Sequence, residues 1–123
     1  MPAKVVVVHD EPSFVAELVD ALGSRGWKTK GYTTSTEAIA VLREAGQIEL
    51  LITSVLFPGG TPHGVSLALM ARTKRPGIKV LFVGKDELRK HTEGIGELLP
   101  LETEVSKLLD RAGFLLSGGE LTS

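Results

Sequence analysis

Short, continuous apolar runs alternate along this chain with longer stretches in which apolar residues recur every third or fourth position. Val5-Val6-Val7-Val8 is β-branched throughout and flanked by charge, which predicts a strand buried on both faces. Val15, Leu18, Val19 and Leu22 then share one helical stripe, with Pro12 suited to the first turn and Gly23 or Gly26 to the end. Trp27 to Tyr32 is more polar and carries alternating lysines, as an edge strand does when it must resist pairing with another chain. Thr34 and Glu37 have capping-box spacing ahead of Ala38, Val41, Leu42 and Ala45, which predicts a second helix. A third strand is predicted from Leu50 to Ser54 or Val55, and a third helix from about Gly64 to Thr73, stopping before Pro76-Gly77. Val80 to Val83 is a fourth buried strand, followed by a weak helix or turn over Asp86 to Glu93 and a short strand over Ile95 to Leu99. Val105, Leu108, Leu109 and Ala112 mark the last helix, and Ser117 to Ser123 reads as a flexible tail.

Strand-then-helix units repeated in this way predict an α/β fold, a doubly wound, mainly parallel five-stranded sheet with helices on both faces. Such sheets place their sites at the carboxyl ends of the strands, beside the topological switch point. The candidate positions are therefore His9 to Glu11, Ser54, Gly84-Lys85 and Leu99-Pro100.

Composition narrows the function. At 123 residues the chain is expected to form one domain, residues 1–116, with 117–123 as its tail. Lys and Arg number 14 against 15 Asp and Glu, and a net charge of −1 argues against nucleic-acid or anionic-membrane partners. The absence of cysteine removes disulfides, thiolate metal sites and thiol nucleophiles together. No apolar run is long enough for a membrane span, and the valines near the start are too few for a secretory signal, so a cytoplasmic location is expected. His9, His63 and His91 fall on different loops without metal-ligand spacing.

The strand ends also carry a family resemblance. Val5 to Ser13 resembles the opening of response-regulator receiver domains, whose first strand ends in two acidic residues. Leu50 to Gly59 resembles their third strand, which carries the phospho-accepting Asp four residues before a Pro-Gly. Thr34 to Leu42 and Val80 to Lys85 fit the second helix and fourth strand, so the resemblance covers about residues 3 to 116. It implies a flavodoxin-like, CheY-like (βα)5 fold with strand order 2-1-3-4-5, and a place in bacterial-type two-component phosphorelay signalling.

The same resemblance implies that the phosphorylation chemistry is degenerate. Four residues before Pro58 stands Ser54, whose hydroxyl needs an adjacent base to act as a nucleophile. No Asp lies between Lys28 and Lys85, so no shift of register supplies another acceptor in the third strand. His9 and Asp10 occupy the acidic pair and Glu11 follows, leaving Asp10 and Glu11 to hold Mg2+ weakly beside His9. Gly84 stands where the switch hydroxyl is expected, Leu99 where the lysine is expected, and Gly96 where the aromatic switch residue is expected. Lys85 is a candidate pocket lysine that could reach toward Asp10. The loop from Pro58 to Gly64 is about two residues longer than the family's.

The resulting expectation is a pseudo-receiver that is not an enzyme, needs no cofactor and binds partners without phosphorylation. Its partner would be a histidine kinase or another regulator, met through the face from Asp86 to Leu116, or a second copy in a homodimer; Leu98, Leu101 and Phe114 there serve either that contact or the core. The alternative is a flavodoxin-like small cofactor-binding protein or enzyme. That reading needs Ser, Thr and Gly donors after the first strand, where His9-Asp10-Glu11-Pro12 stands.

Overall fold

The computed structural model describes residues 4–44, 46–57 and 63–118; Ala45, most of the glycine-rich loop and most of the expected tail lie outside them. Strands β1 (Lys4–Val8), β2 (Lys28–Tyr32), β3 (Leu50–Ser54), β4 (Lys79–Val83) and β5 (Glu97–Leu99) form one parallel sheet in the order β2-β1-β3-β4-β5. The helices are α1 (Pro12–Ser24), α2 (Ser35–Arg43), α3 (Gly64–Lys74), the single turn α4 (Arg89–Thr92) and α5 (Val105–Leu116). This is the doubly wound α/β architecture expected from the sequence.

Alternation of Cβ direction along a strand splits the valine run between two cores. Val5 and Val7 pack with Leu18 and Leu22 of α1 and Leu108 and Ala112 of α5. Val6 and Val8 face the other way, toward Ala38 and Leu42 of α2 and Leu67 and Ala68 of α3. Strands β1, β3 and β4 are therefore covered on both sides, which explains their continuous hydrophobicity. The lysine-bearing β2 lies at the sheet edge, as its polarity predicts.

The start of α2 obeys its capping signal. The Thr34 hydroxyl accepts from the Glu37 backbone N–H at 3.2 Å and donates to the Glu37 carboxylate at 3.0 Å. The other end of α2 depends on a residue far away in sequence. Arg75, just beyond α3, donates to the carbonyls of Leu42 at 2.7 Å, Glu44 at 2.7 Å and Gly46 at 3.0 Å. The Lys74 ammonium bonds the Arg43 carbonyl beside them. The last carbonyls of a helix have no partner within it, and a cation there also meets the negative end of the helix dipole.

One boundary and one burial assignment differ from the sequence reading. The fifth strand begins at Glu97 rather than Ile95, because the N–H groups of Ile95 and Gly96 both bond the Thr92 carbonyl and close the turn after α4. Leu98 is 3 % exposed and belongs to the core, so it does not contribute to an exposed face. The weak helical stretch over Asp86 to Glu93 is a 3-10 turn at Asp86–Leu88 running into α4.

Replacing Arg75 by Ala should lower the free energy of unfolding in urea by about 1–2 kcal/mol, the range for losing charge-assisted hydrogen bonds to carbonyls at a partly solvated position. Lys at this position should recover less than half of that loss, since a single ammonium cannot span three carbonyls. An unchanged urea midpoint for the Ala variant would remove Arg75 from the account of α2.

Candidate functional site

Parallel register sets the functional candidates at one end of the sheet. Val8 of β1 pairs with Thr53 of β3, while Ser54 stands level with Val83 of β4 and, through it, with Leu99 of β5. The loops after β1, β3, β4 and β5 therefore leave from neighbouring points and surround a cavity of about 310 Å3. Val55, Leu56, Val83, Leu88 and Leu101 supply its apolar lining. His9, Asp10, Ser54, Lys85 and Glu87 supply its polar lining.

Ser54 ends β3 at 4 % exposure, and its hydroxyl has no hydrogen-bond partner. A serine nucleophile requires a base within hydrogen-bonding reach, and among the described residues none is bonded to this oxygen. An unpaired buried hydroxyl also costs about 1–3 kcal/mol of desolvation.

His9 is buried at the end of β1 and its ring packs on Phe14 of α1, centroid to centroid 4.6 Å. Its Nδ1 accepts from the Glu11 N–H at 3.1 Å, which places the remaining ring proton on Nε2. Nδ1 also lies 3.5 Å from an Asp10 carboxylate oxygen. Burial lowers the pKa of the imidazole below its ordinary value, while Asp10 and then Glu11 pull weakly the other way, so the ring is neutral at neutral pH. Glu11 precedes α1 as its N-cap residue, but its side chain makes no capping bond.

Of the two carboxylates the sequence offers to Mg2+, the structure brings Asp10 to the cavity lining but not Glu11. A hard cation requires several oxygens in near-octahedral order. Asp10 and Glu87 line the cavity, Glu11 is not among its lining residues, and His9 Nδ1 already accepts a backbone hydrogen bond. Among the described residues no group of three or more His, Cys, Asp or Glu is placed to hold a metal ion.

The glycines at the remaining positions are held by packing. A Cβ on Gly84 would lie 2.9 Å from Val55 Cγ2, so valine already fills the space that a larger side chain would need. A Cβ on Gly96 would lie 2.6 Å from the Val80 carbonyl oxygen and 2.9 Å from the Phe82 ring, leaving no room for a side chain. Leu99 accepts the Gly84 N–H through its carbonyl at 3.1 Å, while its side chain packs with the core shared by α1 and α5. Lys85 and Asp10 border the same cavity, yet among the described residues no ion pair joins them.

Sequence reasoning missed the apolar half of the cavity. Leu56 and Leu101 each stand two residues beyond a strand end and remain 52 % and 47 % exposed. Large apolar residues just past a buried strand were the available signal. Only the fold brings them together with Leu88.

A response regulator receiver protein from Sinorhizobium medicae superposes with a TM-score of 0.85 at 18% identity, over 97% of this chain and 98% of its own. The receiver domain of the hybrid histidine kinase CckA gives 0.78 at 26% identity, over 93% and 99% of the two chains. The chain has the CheY-like receiver fold. A CheY-like receiver domain protein from Methanospirillum hungatei gives 0.83 at 19% identity, over 95% of each chain. No family model matches the sequence, and no curated protein matches it. Within the receiver fold, the cavity occupies the switch point between β1 and β3, where the two directions of winding meet.

The lowered pKa of His9 has a defined sign for stability. Below about pH 6.5, the ordinary imidazole value, the unfolded chain takes up a proton that folded His9 still refuses. The contribution is therefore complete above that pH and is lost as pH falls toward the lower folded value. Urea midpoints measured between about pH 7.5 and 5.5 should fall less in His9→Gln than in the parent chain. An identical fall in both would show that His9 is not the group responsible.

Proposed function

We propose that this chain is a receiver-type interaction module of two-component signalling that works without accepting a phosphoryl group and has no enzymatic activity of its own. The observation that carries this reading is Ser54, which stands at the end of β3 with a buried, unpartnered hydroxyl at the position the family resemblance assigns to the phospho-acceptor. A carboxylate there could form an acyl phosphate, whereas a serine hydroxyl could form only a phosphate ester and, without an adjacent base, not at a useful rate. The surroundings support the same reading. Gly84 and Gly96 provide no switch side chains, Leu99 provides no cation to pair with a phosphoryl oxygen, and Asp10 lacks the partners Mg2+ needs.

Signalling context comes from the shared fold and from neighbours that include the receiver domain of a hybrid histidine kinase. A histidine kinase or another regulator in the cytoplasm is accordingly the proposed partner class, with a second copy of the chain as the competing partner. The proposed contact face runs from Asp86 to Leu116. Phe114 is exposed there with the Arg111 guanidinium 4.6 Å above its ring, and Arg111 is fixed in turn by a bidentate pair with Glu97. Aromatic and arginine side chains held in place are favourable contact anchors because little conformational freedom is lost on binding.

Incubation of the purified chain with acetyl phosphate and Mg2+, followed by intact-mass spectrometry, should give no phosphoryl adduct. A stoichiometric adduct would overturn the proposal and direct attention to the residue that carries it.

A further inference from the structure

The cavity at the strand ends is built unlike a site for an anion. At about 310 Å3 it falls at the small end of ligand pockets, which span roughly 300–1,000 Å3 and combine apolar walls with a few polar groups. Leu56, Leu88 and Leu101 project from different loops, so the apolar wall exists only in the folded chain. Ser54 on its lining is 4 % exposed, and its buried hydroxyl has no hydrogen-bond partner among the described residues. Around these lie two carboxylates, Asp10 and Glu87, and one ammonium, Lys85. Among the described residues neither Glu87 nor Lys85 forms an ion pair, and the neutral His9 is the one partner of Asp10. The lining therefore carries a net charge of −1 around an apolar interior.

We infer that this cavity binds a small molecule with an apolar body, of the size of one aromatic ring or a branched chain, and a protonated amine. The body is placed against Leu56, Leu88 and Leu101, where burial of apolar surface supplies the affinity. The ammonium is placed toward Asp10 and Glu87, whose charges a carboxylate or phosphate headgroup would have to oppose with only Lys85 in its favour. Gly84 and Leu101 begin the connections into α4 and α5, so an occupant touches both routes to the face from Asp86 to Leu116. A role for the ligand in controlling that face rests on the interaction-module reading above; binding itself does not.

The test uses the 15N-labelled full chain and probes that share one body: 2-phenylethylamine, 2-phenylethanol and 3-phenylpropanoate. The amine should shift the amide signals of Val55, Gly84 and Leu101 and bind more tightly than the alcohol, and the alcohol more tightly than the acid. Glu87→Gln should weaken amine binding about threefold and Lys85→Met should strengthen it about threefold, as expected for one unit charge about 6 Å away in water. Both residues are exposed, so the same spectra will show that each variant remains folded. No shifts at these residues with millimolar amine, or equal affinity for the alcohol or the acid, would overturn the inference. Amine binding together with a phosphoryl adduct in the mass experiment would overturn the interaction-module reading alone. Absence of both would overturn the amine site alone.

Discussion

The parallel register of β1, β3, β4 and β5 is the constraint on which the rest of the structure depends. It is enforced from both faces, because a slip of one residue would turn Val5 and Val7 toward α2 and α3, and Val6 and Val8 toward α1 and α5. With that register fixed, Ser54, Val83 and Leu99 stand level, and the loops that follow them must converge at one end of the sheet. The cavity and its position at the switch point are consequences of this convergence. Its chemistry is set separately, by which side chains the converging loops carry.

Two of those loops and strands carry glycines that are closely packed by other elements. Val55 rests where a larger residue than Gly84 would need room, and the Val80 carbonyl and Phe82 ring close the space at Gly96. A two-state switch requires two well-packed arrangements of similar free energy, and close-packed interiors pass between such arrangements rather than deforming gradually. On the proposed reading the domain is held in one state and offers its partner a fixed face, with a largely apolar cavity at the strand ends.

Local patterns made most of the fold readable from the sequence. The valine run, the helical stripe of α1 and the Thr34–Glu37 cap depend on neighbours within a few residues, and each forms as its pattern predicts. The start of β5 departs from the pattern because Ile95 and Gly96 look like strand residues, yet Thr92 captures both of their N–H groups. The positions Ser54, Gly84, Gly96 and Leu99 could be located through the family resemblance. Their packing could not, since Val55 against Gly84 and Val80 against Gly96 are contacts between different elements. For the same reason the Arg75 clamp on α2 and the convergence of Leu56, Leu88 and Leu101 became visible only with the fold in place.

A single state without a switch is the central claim of the proposed function, and motion on the microsecond-to-millisecond timescale would reveal a second one. Relaxation-dispersion NMR on the backbone amides around the cavity is the most direct measurement. Flat profiles at Ser54, Val55, Gly84, Gly96 and Leu99 are the expected result. A shared exchange process across these residues, with one rate and one minor population, would show that the chain retains a switch and would contradict the account.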